Sequence, residues 1–296
     1  MPKLTNRHNL PVAFERFEAA DPYSKGDADY SVTELIDAPQ IAALKQEHDH
    51  EMEEDVSDRI MSILGTAIHS ILQHGAGPDD VPEERFYAEV SGKRISGQCD
   101  LLTPTGQSAT GEVSWGLKDY KTTRGMSIVY NPDGGDSWIQ QVNCYAYLAE
   151  VNGYCVTEGS VIAIIRDWTA SLLRRNHNFP RQPVIEIPVE IWPFEERLEF
   201  IEERIRLHEL AKTPDCTDKE RWKGRDVYAV IKYRQDGGLM ARADKLFDTY
   251  TEAMIHIETN DLNAEIQHRV GEPTRCEGNY CQVAQFCPQY QKERSF

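Results

Sequence analysis

The chain has 296 residues, 40% of them hydrophobic and 27% charged, a balance that suits a folded globular protein and is too apolar for disorder. With 49 acidic against 32 basic residues the net charge is −17, which excludes polyanion binding over the whole surface and leaves room only for a local channel. No run reaches the roughly 18 apolar residues of a membrane helix, residues 1–20 lack a secretory h-region, and seven cysteines without such a signal fit metal sites or free thiols better than a disulfide framework. The expected compartment is therefore the cytoplasm.

Residues 1–30 are polar, with scattered Pro, Asp and Gly, and read as an irregular arm. Ser31-Val32-Thr33-Glu34 is a capping box that predicts a helix start, Pro39 ends that helix, and a second short helix runs to about His48. Seven carboxylates between Glu47 and Asp58 read as a solvated helix face or loop. From Asp55 to about Gln73 the pattern is helical, with Ile60, Ile63, Leu64, Ala67 and Ile71 as its apolar stripe and His69 on nearly the opposite side. Residues 85–90 and 94–102 read as strands, with Gly97 marking a bulge or a close backbone approach. Residues 114–121 alternate so that Trp115, Leu117, Asp119 and Lys121 share one face. Asp136 and Ser137 cap a helix to about Asn152, stopped by Gly153. Residues 159–166 and 184–191 read as strands, and Pro193 opens an amphipathic helix to about Lys212. Asp236-Gly237-Gly238 predicts a hairpin turn between 226–234 and 239–244, and a short helix covers 248–259.

The chemistry lies in an ordered set of residues. An Asp-x-Lys pair on a strand places Asp119 and Lys121 side by side on one face, and Asp100 ends the preceding strand. Two converging carboxylates repel unless a cation lies between them, and oxygen donors of this kind suit Mg²⁺ or Mn²⁺. A neighbouring lysine can orient a water or stabilise developing negative charge, a combination suited to phosphodiester hydrolysis. Alone, Asp-x-Lys is most often a surface ion pair. Here it follows Gly65-x-x-x-His69 and Gly97-x-x-Asp100, and precedes Gln141-x-x-x-Tyr145, whose two side chains share a helix face.

Over residues 31–290 that order resembles the PD-(D/E)xK nuclease superfamily, and within it the RecB-like exonucleases, a group that includes AddB, CRISPR-associated members and phage relatives. The resemblance implies an α/β, restriction-endonuclease-like core with a central mixed β-sheet flanked by helices. It also implies a metal held by His69, Asp100, Asp119 and the Tyr120 carbonyl, with Lys121 catalytic and with Gln141 and Tyr145 positioning DNA or orienting the site. Asp119 stands where many relatives carry Glu, a choice the motif allows. Glu89 is available as a further carboxylate, though no motif asks for it.

The tail reads Cys276-x4-Cys281-x5-Cys287-Pro288. Irregular spacing without paired C-x2-C knuckles fits an iron–sulfur cluster better than zinc, with Cys216 in a loop as the fourth ligand and zinc as the alternative occupant. RecB-like exonucleases with a 4Fe-4S staple agree. In AddB and the CRISPR-associated members, however, the first cysteine precedes the core and the tail opens with C-x2-C, whereas this chain has no cysteine before Cys99. The expected layout is an arm at 1–30, a nuclease core at 31–212 and a cysteine-held region at 213–296. The expected activity is a metal-dependent DNA exonuclease favouring single strands or ends. The rival is a non-catalytic DNA-end binding or scaffolding subunit that keeps the fold. Trp138, Trp168, Trp192 and Trp222, and basic residues such as Lys118, Arg124, Arg166 and Arg174, read by default as packing and solvated surface.

Overall fold

In the computed structural model, which describes residues 3–19, 24–107 and 111–294, the chain divides into two units: Met1–Ala43 with Asp49–Thr213, and Leu44–His48 with Pro214–Phe296. The first unit carries β1 (Lys3–Thr5), α1 (Val12–Ala19), β2 (Tyr30–Ser31), α2 (Val32–Ile36), the start of α3 (Pro39–His48), β3 (Glu53–Asp55), α4 (Ile60–Gln73), β4 (Val81–Val90), β5 (Lys93–Gln107) and β6 (Val113–Thr123). It continues with α5 (Gly125–Tyr130), α6 (Asp136–Val151), β7 (Cys155–Ile165), α7 (Ala170–Arg175), β8 (Val184–Val189) and α8 (Phe194–His208). Among the described residues no helix is long and apolar enough to cross a membrane.

Six strands form a mixed sheet in the order β2-β5-β6-β7-β8, with β4 also paired to β5. The pairs β4/β5, β5/β6 and β7/β8 are antiparallel, and β2/β5 and β6/β7 are parallel. Leu101 and Leu102 of β5 face Pro82 and Val81 of β4 on one edge, and Lys118 and Leu117 of β6 on the other. Along that second edge β2 pairs only with Ile95 and Ser96, so Gly97–Asp100 is left without a ladder partner there. Beyond Lys118, β6 stays with β7 through Asp119–Thr123 and leaves β5. The strands splay at Asp100 and Asp119, and the gap between them becomes the mouth of the site.

Helix α6 is the central support. Its residues Gln141–Ala149 are all buried, as expected of a helix covered on every side. It packs against β4, β5, β6 and β7 and against α2 and α8. Gly97 faces it: a Cβ there would meet Leu148 Cδ1 and the Tyr145 ring at 2.8 Å, so the glycine is a close approach rather than a bulge. Ser31 and Glu34 form the predicted capping box, Pro39 opens α3, and Gly153 takes φ +94° just past α6.

Several expectations need correction. The arm contains order: β1 pairs in parallel with β3, and α1 follows. That pairing also draws Asp55 out of the acidic stretch into the interior, where it accepts hydrogen bonds from Thr5, Arg7 and Ser57. Asp136 and Ser137 do not cap α6; Gly135 holds the N-cap position at φ +80°. Helix α4 begins only at Ile60, after a 3-10 turn at Val56–Arg59, and buries none of its residues. Leu64 and Ile71 of the predicted core stripe are 47% and 70% exposed, because the helix turns its His69 side, not the stripe, toward β5 and β6.

The second unit holds β9 (Val227–Lys232), β10 (Lys245–Phe247), α9 (Tyr250–Thr259), β11 (Ala264–Arg269), α10 (Thr274–Glu277) and α11 (Pro288–Arg294). Its antiparallel sheet runs β10-β9-β11. The strand returning from the Asp236-Gly237-Gly238 turn lies at Lys245–Phe247 rather than 239–244, and β11 has no counterpart in the predicted elements.

Candidate metal centre

The sheet gap opens into a cleft of about 520 Å³. Gly65 and His69 of α4, Gly97 and Asp100 of β5, Asp119 and Lys121 of β6, and Gln141 and Tyr145 of α6 all line it. Each motif thus reaches one place from its own element. Gly65 has no atom within 4 Å of where a Cβ would sit, so it leaves open space at the wall.

Asp100 is buried at the splay. Its Oδ2 accepts the Tyr120 N–H at 2.6 Å, taking a donor that β6 no longer offers to β5. Its Oδ1 lies 3.1 Å from His69 Nδ1, and His69 Nε2 lies 3.2 Å from the Tyr120 carbonyl oxygen. A second carboxylate faces the same ring: Glu83 Oε1 is 3.4 Å from His69 Nδ1. Asp100 first, then Glu83, raises the His69 pKa to about 10 against the opposing effect of burial.

Asp119 is 1% exposed, and its Oδ2 lies 2.7 Å from Lys121 Nζ without the angle of a hydrogen bond. Burial pushes its carboxyl up to about 6; Asp100 adds to the rise and Lys121 opposes it. On α6, Gln141 Nε2 donates to Tyr145 Oη at 2.8 Å. Burial, and next the charge of Asp119, hold the Tyr145 phenol well above its ordinary pKa, so it is a neutral donor.

Glu83 Oε1 is buried without a hydrogen-bond partner, which is costly unless a cation or water satisfies it, and the buried Asp119 Oδ2 makes no hydrogen bond but faces the Lys121 ammonium. One ligand atom each from His69, Glu83 and Asp100 lie within 4.8 Å of one another, the spacing a single ion needs, and no other such group occurs among the described residues. The donor set therefore fits a divalent cation, one imidazole with carboxylates. Asp119 lines the same cleft but falls outside that group of three.

The chain matches no protein-family model and no curated protein. Among solved structures it is similar to the crystal structure of SSO0001, at 19% identity over 66% of this chain and 82% of that one, with a TM-score of 0.42. A likeness of that size carries no argument about fold or function.

In the second unit, burial first, then Glu220, Cys287 and Cys281, pushes the Cys216 thiol up to about 12. Burial first raises the Cys281 thiol, and Cys276 and Cys287 add to the rise. The four thiols do not gather as a metal site: among the described residues no three of them lie within 4.8 Å of one another. Gln289 clamps the loop, accepting the Cys216 N–H at 3.0 Å and donating to its carbonyl at 2.9 Å. Cys99 and Cys144 are buried in the hydrophobic core of the first unit, and burial raises both thiols.

Glu83 is the site residue the sequence motifs miss. Glu89, the carboxylate noted in their place, sits opposite Arg94 near the far end of β4. The one local signal was Pro82 before a Glu-Glu pair, at the start of a strand. Of the tryptophans, Trp168 donates to the Pro180 carbonyl, Trp192 packs on Phe200, Trp138 packs against the core, and Trp222 is exposed.

Proposed function

We propose that the first unit is a restriction-endonuclease-like core of the RecB-like type and that the protein is a metal-dependent DNA exonuclease acting on single strands or ends. The convergence of eight motif residues from four elements on one cleft carries this reading. A bound Mg²⁺ or Mn²⁺ supplies Lewis acidity toward a phosphoryl oxygen and acidifies water. His69, Asp100 and Asp119 carry the imidazole and carboxylates that hold it, as the resemblance implies. Lys121, kept in place by Asp119, puts an ammonium where it can steady a water or the negative charge that builds on the phosphate. The Gln141–Tyr145 pair turns a neutral phenol toward a bound strand. With a net charge of −17, binding relies on these local groups, so its log–log salt slope should be shallow, about −2 to −4.

The cysteines of the second unit serve in this reading as a 4Fe-4S staple. A tetrahedral zinc with bonds of about 2.3 Å draws its thiolates to within about 4 Å of one another. No three of these four thiols gather within 4.8 Å of one another, so the staple rests on the cysteine pattern of the sequence.

The test is digestion of 5′- and 3′-end-labelled single- and double-stranded DNA with Mg²⁺ or Mn²⁺. Stepwise loss of nucleotides, abolished by Asp100→Ala, is the expected result. Binding without cleavage under every divalent metal would favour the scaffolding rival.

A further inference from the structure

The cleft does not end at the acidic cluster. It continues along β5, where every second residue shares the face that carries Asp100. That face holds Gln98 and Ser96, because Gly97 faces α6 and Cys99 sits in the hydrophobic core. On β4, Arg85 pairs with Gln98, and Arg85, Gln98 and Ser96 all line the cleft. Two residues of strand separate Gln98 from Asp100, a step of about 6.6 Å. Neighbouring phosphates of an extended nucleic-acid strand are separated by a similar step.

Arg85 is oriented at that step. Its Nη2 donates to Gln98 Oε1 at 2.8 Å and its Nη1 to Ser96 Oγ at 3.3 Å. Both acceptors are themselves held. The buried Ser96 hydroxyl donates to the Lys25 carbonyl at 2.9 Å, and Gln98 Nε2 donates to the Glu83 carbonyl at 3.1 Å. Both acceptors are also neutral, so these two bonds aim the guanidinium without offsetting its charge. A planar guanidinium fork matches two oxygens of one phosphate. The facing wall suits the same ligand: α4 turns Ser62, Gly65, Thr66 and His69 toward the cleft, positions i, i+3, i+4 and i+7 of one helix face. Two hydroxyls beside a bare glycine leave room for a strand and can bond its phosphate and sugar oxygens, contacts that position without reading sequence. Of the described lining residues only Arg85 and Lys121 are arginine or lysine, and Lys121 faces Asp119 at 2.7 Å.

We infer that Arg85 binds the phosphate next to the scissile one and so seats the strand on the metal centre, with Ser96 and Gln98 as its positioning residues. The inference rests on the nuclease reading for what is cut, whereas the contact itself needs only a bound strand. The subsite lies on one side of the acidic cluster, so it takes the neighbour on one side of the cut and not the other. It grips a phosphate rather than a base. The smallest good substrate therefore carries two phosphates, of any sequence.

The experiment compares hydrolysis of the thymidine dinucleotide TpT, which has one phosphate, with that of pTpT and TpTp, which have two, by the full chain in Mn²⁺. Wild type should prefer one of pTpT and TpTp, the one whose extra phosphate reaches the subsite. Arg85→Met should raise KM for that substrate and cut its kcat/KM advantage over TpT about tenfold. Arg85→Lys keeps the charge but loses the fork, so it should lose part of the advantage, which keeps the test open if Arg85→Met folds poorly. An equal fall on TpT and on the preferred substrate would mean that Arg85 acts only through the fold, and would overturn the inference. Equal rates of wild type on pTpT and TpTp would overturn it too. A second measurement needs no cleavage: fluorescence anisotropy of a labelled oligothymidylate in Ca²⁺ over a range of salt. Arg85→Met should weaken binding and bring the log–log slope closer to zero by about 0.7, the share of one phosphate on a single strand. That result in a protein that cuts no DNA would support the inference and overturn the nuclease reading instead. Wild-type affinity and slope in Arg85→Met, with cleavage intact, would do the reverse.

Discussion

Replacing Asp119 by asparagine should make the metal-free protein more stable while removing its activity. The carboxylate is 1% exposed, and burial lifts its pKa to about 6. An unfolded aspartate titrates near 3.9, and each pH unit of difference corresponds to about 1.4 kcal/mol, so holding the ionised form inside costs up to about 3 kcal/mol at neutral pH. A neutral amide of the same shape removes that cost. The attraction of Lys121 is already contained in that pKa, and Lys121, 23% exposed, can turn to water. The net gain is up to about 3 kcal/mol, or a Tm rise of up to about 6–12 °C for a unit of this size. The sign has a definite pH course. The folded pKa lies above the unfolded one, so the penalty is absent below about pH 4, grows as pH rises toward 6, and is complete above it. Thermal melts in EDTA at pH 4, 6 and 8 should show wild type and variant coinciding at the lowest pH and separating above it. A variant less stable than wild type at pH 8, or a gap that does not change with pH, would refute the reasoning.

Gly97→Ala should cost about 1–3 kcal/mol, because the new methyl meets Leu148 and Tyr145 at 2.8 Å in a packed interior; a change under about 0.5 kcal/mol in denaturant melts would mean the helix simply moves away. His69 carries a raised pKa, so its contribution to metal-free stability is fully present below about 6.5 and is lost as pH rises through about 10. Relative to His69→Gln, wild type in EDTA should therefore weaken across that window, and parallel pH curves would contradict the ion-pair geometry. Anaerobically purified protein should carry about four iron and four sulfide per chain. Alanine at Cys216, Cys276, Cys281 or Cys287 should remove them, while Cys99→Ala and Cys144→Ala should keep the iron; one zinc and no iron by elemental analysis would replace the cluster with a zinc staple.

What the sequence determined by itself was local or strictly periodic. The Ser31–Glu34 box and the stop at Gly153 are contacts among neighbours a few residues apart, so their chemistry is complete within the segment. Strand alternation placed Asp119 and Lys121 side by side, because a period of two needs no partner strand to define a face. Tertiary structure decided the rest, wherever the outcome depended on a distant partner. Asp55 looked like one more solvated acid until β1 came alongside β3 and buried it. The apolar stripe of α4 met the helical period perfectly well, yet the helix is oriented by its contact at His69, and Leu64 and Ile71 stay exposed. Glu83 comes beside His69 and Asp100 only because the β4/β5 register sets it opposite Asp100 and a left-handed backbone turns it inward. Neither condition is written in the residues around it, since register is a property of two strands and a strained φ persists only where the surrounding fold holds it.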